Sequence, residues 1–321
     1  MTPRTSIVIP VRNQLALTRQ CLEGVTTEHG GREDIGVVVV DDGSTDETPS
    51  FLEGVGKIEV VRHESSLGFA ASCNDGAKSG LGDYLVFLNN DTVGRKGWCD
   101  ALIAYAEANP AAAIVGARLL YPNETIQHAG IVLGSDLIPR HVYRGFPAEH
   151  PAVKRSRPFR AVTAACVLIR RGAFEEVGGF DTEFTNGFDD IDLCLRMAER
   201  GREIHYCAES VLVHLEAATR GEDADLFRRN AERYLQRWGH RVRRDDIDIY
   251  VADGLLEIVP GDLYPLELRV SARLANVAGS NPYELLEERS RQVFDLLKEN
   301  AELQTRLRQR RLEAETRTIS T

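Results

Sequence analysis

The sequence predicts an α/β protein built on a mostly parallel sheet flanked by helices, and three observations carry that prediction. Short β-branched runs alternate with helical segments through the first hundred residues. The runs VVVV and YLVFL are apolar without interruption, as in strands covered on both faces. Each strand-like run gives way to Pro, Gly, Asn or Asp, the residues that interrupt a strand.

Taken in order, TSIVIPV (residues 5–11) is the first strand, and the stretch RNQLALTRQCLEGV after it carries Leu15, Leu22 and Val25 at helical spacing. IGVVVVDDGSTD is a second strand stopped by Asp41, Asp42 and Gly43, with Ser44 or Asp46 placed to cap the helix that holds Phe51 and Leu52. IEVVRH is a short third strand. NDGAKSGLGDYLVFLNNDT then gives a helix, a glycine break and a fourth strand. Parallel sheets gather ligands at the carboxyl ends of their strands, where Pro10, Asp41, Asp42 and Asp91 all fall.

From about residue 114 the strands shorten to AIVGARLL, TIQHAGIVLG and AVTAACVLIRR. Between the last two, residues 136–160 form a Pro- and Arg-rich stretch, read as a mobile loop beside the site or else a solvated connector. ADLFRRNAERYLQRWGH is an amphipathic helix, and the composition shifts near residue 250. Residues 1–250 are therefore expected to form one domain and 251–321 an extension. In the extension Leu286, Val293, Asn300 and Leu307 recur at heptad spacing, with Leu296 and Leu303 offset and Arg289 and Arg310 interrupting. That pattern predicts a coiled-coil homodimer through the final helix, or a helix folded onto its own domain.

With 43% hydrophobic and 27% charged residues, the composition is that of a soluble globular protein. A formal net charge of −10 disfavours a polyanion as partner and so excludes nucleic acid. The six cysteines are scattered, with no C-x-x-C pair, and no signal-like leader precedes the first strand. These features predict reduced thiols and a cytoplasmic location, with any membrane contact peripheral. Neither G-x-G-x-x-G nor G-x-x-x-x-G-K-[ST] occurs, which disfavours a dehydrogenase, a P-loop enzyme or a nucleotidyltransferase.

The segments SIVIPVRNQ, VVVVDDGSTD, GFAASCNDG, YLVFLNNDT, GGFDTEF, FDDIDLCLR and VLVHLE, in this order and spacing, resemble family 2 glycosyltransferases with the GT-A fold over residues 5–240. The resemblance implies transfer of a sugar from a nucleotide diphosphate donor of the UDP, dTDP or GDP type to a glycan, lipid-linked glycan or protein acceptor. TIQHAGIVLG further resembles rhamnosyltransferase-like members. In the family the corner after the second strand holds the nucleotide, which implies donor contacts by Pro10, Val11, Asp41 and Asp42. Asn74, with Gly68 and Gly76, resembles the donor-site turn, although a helix cap accounts for Asn74 equally well. Many relatives carry Arg where this chain has Cys73.

Asn89, Asn90 and Asp91 stand at the D-x-D motif that chelates a divalent ion, Mn²⁺ or Mg²⁺, across the donor phosphates. Here an amide replaces the first acid, leaving Asp91 as the principal ligand and Asn90 as a donor contact. His214, ending a late strand, matches the second metal ligand, and imidazole nitrogen suits Mn²⁺ better than Mg²⁺. His128 is read as structural. Acids at a helix start are stabilised by the macrodipole, which accounts for one of Asp189, Asp190 and Asp192 more readily than for three. The family pattern implies Asp190 as catalytic base, Asp189 as an acceptor-positioning group and Asp192 as a brace for the helix. Thr219 and Arg220 are expected to close over the diphosphate. The competing reading is an inactive glycosyltransferase-like scaffold, for which Asn89 is the best argument.

Overall fold

The computed structural model describes residues 3–216, 224–259 and 267–271. The chain divides into two compact units, Met1–Tyr250 and Val251–Thr321. The heptad helix, Thr219 and Arg220 lie outside the described residues. Among the described residues no helix is long and apolar enough to cross a membrane.

In the first unit the order is β1 (Thr5–Val11), α1 (Leu15–His29), β2 (Ile35–Asp41), α2 (Thr48–Glu53), β3 (Glu59–Arg62), α3 (Phe69–Ser79), β4 (Tyr84–Leu88), β5 (Thr92–Gly94) and α4 (Trp98–Ala108). There follow β6 (Ala112–Leu120), β7 (Ile126–His128), β8 (Ile131–Leu133), β9 (Pro139–His141), β10 (Arg157–Pro158), β11 (Cys166–Arg170), α5 (Arg171–Glu176), α6 (Asp189–Glu199), β12 (Glu203–His214), α7 (Ala224–Trp238) and α8 (Asp246–Ala252), the last running into the second unit. The second unit also contributes an antiparallel hairpin of β13 (Leu256–Val259) and β14 (Glu267–Val270).

The main sheet runs β10-β12-β6-β11-β4-β1-β2-β3, with β5 on β12 and β7 on β6. β1, β2, β3 and β4 are mutually parallel, as the strand and helix alternation requires, and β11 enters antiparallel between β4 and β6. All five residues of β4 are buried, which is why its sequence carries no polar alternation. Cys21, Leu22 and Val25 of α1 and Trp98, Cys99 and Leu102 of α4 pack with Ile7, Ile9, Val39 and Val86 in one apolar cluster. On α3, a Cβ at Gly76 would stand 2.3 Å from Val8, so this glycine lets the helix close onto β1 and β2. The expectation that Gly76 admits a ligand is corrected: what it admits is the sheet.

TIQHAGIVLG does not form one strand. Gly130, at φ 111°, turns the chain between β7 on the main sheet and β8 on a hairpin with β9, and a Cβ there would meet the Phe159 ring at 2.6 Å. Residues 136–160 are fastened down rather than merely connecting. Tyr206 Oη donates to Val153 O, Tyr234 Oη to Leu137 O, Arg118 Nη1 to Ala148 O, and Arg160 Nε to Asp245.

α6 is held by one buried carboxylate. Asp192, fully buried, accepts from Arg196 Nε at 2.7 Å and from Arg237 and Trp238 Nε1 of α7 at 2.8 and 2.9 Å. The same α7 places Asn230, whose amide donates to the carbonyls of Thr185 and Gly187 just ahead of α6. Removing one partner of a buried, hydrogen-bonded charge set typically costs about 3–5 kcal/mol. Asp192→Ala is therefore expected to lower the unfolding free energy by about that much in urea titration, far more than substitution of an exposed pair such as Arg228 and Asp225.

Candidate active site

The carboxyl ends of β1, β2 and β4 point the same way, and their loops interlock. Asn13 and Gln14, both at positive φ, turn the chain from β1 into α1. Asn13 Oδ1 accepts from Thr45 N, and Asn13 N donates to Ser44 Oγ at 2.7 Å. Ser44 therefore does not cap the next helix; Asp46, which accepts from Thr48 N, comes closer to that role. Val11 is paired with Asp41, so Pro10, Val11 and Asp41 line one corner.

The two adjacent acids of that corner have opposite occupations. Asp42 accepts from Ser66 Oγ, Leu67 N and Gly68 N and lies 2.8 Å from His63 Nδ1. Burial alone would raise its carboxyl, but these partners hold it below the ordinary carboxylate range. The expected donor contact at Asp42 is corrected accordingly, because this side chain is consumed in shaping the loop ahead of α3. Asp41, also buried, receives Ser44 N on Oδ1, while among the described residues Oδ2 has no hydrogen-bond partner and only the more distant Arg62 guanidinium at 3.6 Å.

Asn74 is corrected as well. Its amide donates to Phe180 O and accepts from Phe180 N, both at 2.9 Å, and Gly179 at φ 74° permits the approach. A Cβ at Gly179 would stand 2.5 Å from Asn74 Oδ1, so the glycine of GGFDTEF and the asparagine of CNDG are two halves of one contact. Cys73 is fully buried beside it, facing the core.

At the end of β4, Asn90 Nδ2 donates to Thr18 Oγ1 of α1, and Asn89 N donates to Ala165 O. β12 arrives antiparallel to β5 with His214 opposite Thr92, and Leu215 N donates to Asp91 O. That pairing brings His214 Nε2 to 3.0 Å from Asp91 Oδ1. Two ligands cis on an octahedral ion at about 2.1 Å lie about 3.0 Å apart, so the pair fits one small divalent cation. Among the described residues no third His, Cys, Asp or Glu completes a cage.

Asp189 and Asp190 open α6 after Phe188 at φ 67°. Asp190 accepts from Ala164 N at 3.3 Å, and the next residue, Ala165, receives Asn89 N, so Asp190 stands one strand over from the turn that carries Asp91. Burial raises both carboxyls above the ordinary range, and each lies beside the other's charge; at Asp190 the N–H groups of Ala164 and Ile191 and the Thr163 hydroxyl offset part of the rise. Asp189 is almost fully buried, Asp190 only half.

Sequence reasoning missed Gln127, whose Oε1 lies 2.7 Å from His214 Nδ1, and the ring of His63, Ser66 and Asp75 around Asp42. Gln127 stands between Ile126 and His128 in a stretch whose pattern does not single it out. His128, as expected, is a buried side chain: it packs on His141 at 2.8 Å between Nδ1 atoms, and burial pushes its pKa well down.

The family model of glycosyl transferase family 2 matches residues 6–178, more than half of the chain. The chain belongs to glycosyl transferase family 2. This family member is 32% identical over 232 residues to the O-antigen biosynthesis protein RfbC of Myxococcus xanthus, covering 70% of this chain and 18% of that protein. It is 24% identical over 212 residues to the N-acetylglucosaminyl-diphospho-decaprenol L-rhamnosyltransferase of Mycobacterium tuberculosis, covering 59% of this chain and 69% of that one. The chain spans 18–42% of the length of the curated relatives that match it at 32–34% identity. The mannosyltransferase PcManGT from Pyrobaculum calidifontis, in complex with GDP-Man and Mn²⁺, shares the fold with TM-score 0.56 and 18% identity over 91% of this chain and 81% of its own. The GT-A fold is thereby shown.

A carboxyl held protonated by burial in the folded state, but ionised in the unfolded chain, lowers stability progressively as pH rises above about 4. Asp189→Asn keeps an acceptor for Gly187 N and removes that cost. Its thermal midpoint is expected to exceed that of the parent by about 2–4 °C for each kcal/mol recovered, with the gap opening between pH 4 and 8 and closing below pH 4. A gap independent of pH in calorimetry would contradict the assignment.

Proposed function

We propose that this family member is an inverting glycosyltransferase that uses a divalent ion to move a sugar from a nucleotide diphosphate donor to an acceptor hydroxyl. The observation that carries the reading is the 3.0 Å approach of His214 Nε2 to Asp91 Oδ1 at the converging ends of β12 and β4. Bound there, a divalent ion would stabilise the negative charge that develops on the departing diphosphate.

Oδ2 of buried Asp41, without a hydrogen-bond partner among the described residues and with only the Arg62 guanidinium at 3.6 Å, suits a base N–H, and Pro10 and Val11 form the adjoining wall. Asp190 takes the proton of the acceptor hydroxyl while that oxygen attacks the anomeric carbon from the face opposite the diphosphate. Its burial keeps the carboxylate more basic than an exposed one, as general-base work near neutral pH requires. Asp189, behind it, orients the loop and the acceptor. The O-antigen biosynthesis protein RfbC and the diphospho-decaprenol rhamnosyltransferase, as relatives, favour a cell-surface glycan or lipid-linked acceptor, met peripherally if lipid-linked. Asn89 in place of an acid favours an inactive scaffold as second reading, and that reading requires no turnover with any donor in the presence of Mn²⁺.

Asp190→Asn is expected to keep the nucleotide-dependent thermal shift while transfer falls about 100- to 10,000-fold. Asp91→Ala is expected to lose both. More than about a tenth of parental turnover in Asp190→Asn would remove Asp190 as the base. A thermal-shift screen of UDP, GDP, dTDP and CMP with Mn²⁺ identifies the nucleotide, since a ligand at 100 times its Kd stabilises by about 2.7 kcal/mol.

A further inference from the structure

β7 carries an irregularity at the point where it faces the site. Leu119 of β6 is paired with His128 and Leu120 with Ile126, so Gln127 is an extra residue with no partner in the ladder. Bulges of this kind re-aim one side chain out of the strand's alternation. Here Gln127 reaches the last residue of β12, where Oε1 meets His214 Nδ1 at 2.7 Å.

The amide oxygen can only accept, so this contact calls for a proton on Nδ1, and a ring that is neutral then carries its lone pair on Nε2, where a cation shared with Asp91 Oδ1 at 3.0 Å would take the place of a proton. With the amide turned the other way, its NH₂ would donate to Nδ1, drive the proton to Nε2 and hand it to Asp91, closing the site to a cation. Gln127 itself is nearly buried, and its own Nε2 has no hydrogen-bond partner among the described residues. A buried unmet N–H is a stability cost that an apolar residue of the same length would not carry.

We infer that Gln127 is a positioning residue that holds His214 in the Nδ1–H tautomer and so keeps Nε2 available as a ligand for a divalent ion. The inference rests on the metal reading of Asp91 and His214 proposed above. Partners of this kind on ligand histidines typically change metal affinity 10- to 100-fold when removed.

The test uses the full chain and Mn²⁺ alone, with the free ion followed by its electron paramagnetic resonance signal. Gln127→Met is expected to weaken Mn²⁺ binding about 10- to 100-fold. Gln127→Glu, which keeps an acceptor facing Nδ1, is expected to bind within about threefold of the parent or more tightly. Added to His214→Ala, Gln127→Met is expected to change Mn²⁺ affinity no further, since its effect runs through the ring. Parental binding in Gln127→Met, equal weakening in Gln127→Glu, or a further loss in the double variant would each overturn the inference alone. A parent chain that binds no Mn²⁺, or a His214→Ala variant that binds it as well as the parent, would instead overturn the metal reading on which it rests.

Discussion

The site depends on where β12 ends. Had that strand stopped elsewhere, His214 would be an ordinary strand-end histidine and Asp91 an acid in a turn. Pairing with β5 sets His214 opposite Thr92, the Leu215 N–H on Asp91 O locks the crossing, and the two side chains meet at 3.0 Å. The strand gets there despite a register shift between Cys207 and Val211, so a backbone irregularity in β12 and a bulge in β7 both lie on the path to this one contact.

Around it the acids divide by whether protein donors satisfy them. Asp42 and Asp192 are buried and surrounded by donors, and each holds a piece of scaffold: the loop ahead of α3 in one case, the α6–α7 contact in the other. Asp41, Asp189 and Asp190 are less well met, and burial works against the ionised forms of the last two. Buried carboxylates without full compensation are costly in a fold, and such groups collect more often at functional sites than elsewhere; here Asp41 ends β2 and Asp189 and Asp190 open α6. Helix α7 contributes no residue to the site's chemistry, yet its Asn230, Arg237 and Trp238 keep the acid pair at its station.

Much of this was legible in the residues themselves. The continuous apolar runs identified β1, β2 and β4, and the strand-end positions of Asp41, Asp91 and His214 were recoverable from the pattern of stops. The reading failed where one residue type serves two purposes. Adjacent Asp41 and Asp42 looked alike, and only the fold brings His63, Ser66 and the backbone N–H groups of Leu67 and Gly68 to one of them. Asn74 looked like a ligand contact because its partner, Phe180, lies 106 residues away in sequence. Gln127 was passed over because a bulge, unlike a period, leaves no mark in a hydrophobicity pattern.

By itself the sequence determined the alternation of strands and helices, the parallel sheet and the stock of acids and imidazoles at strand ends, because periodicity and turn chemistry are local properties. The tertiary structure decided which of those groups serve the scaffold and which are brought face to face. Hydrogen bonds between side chains and distant backbone depend on strand order, register and bulges, and those follow from packing the whole sheet at once.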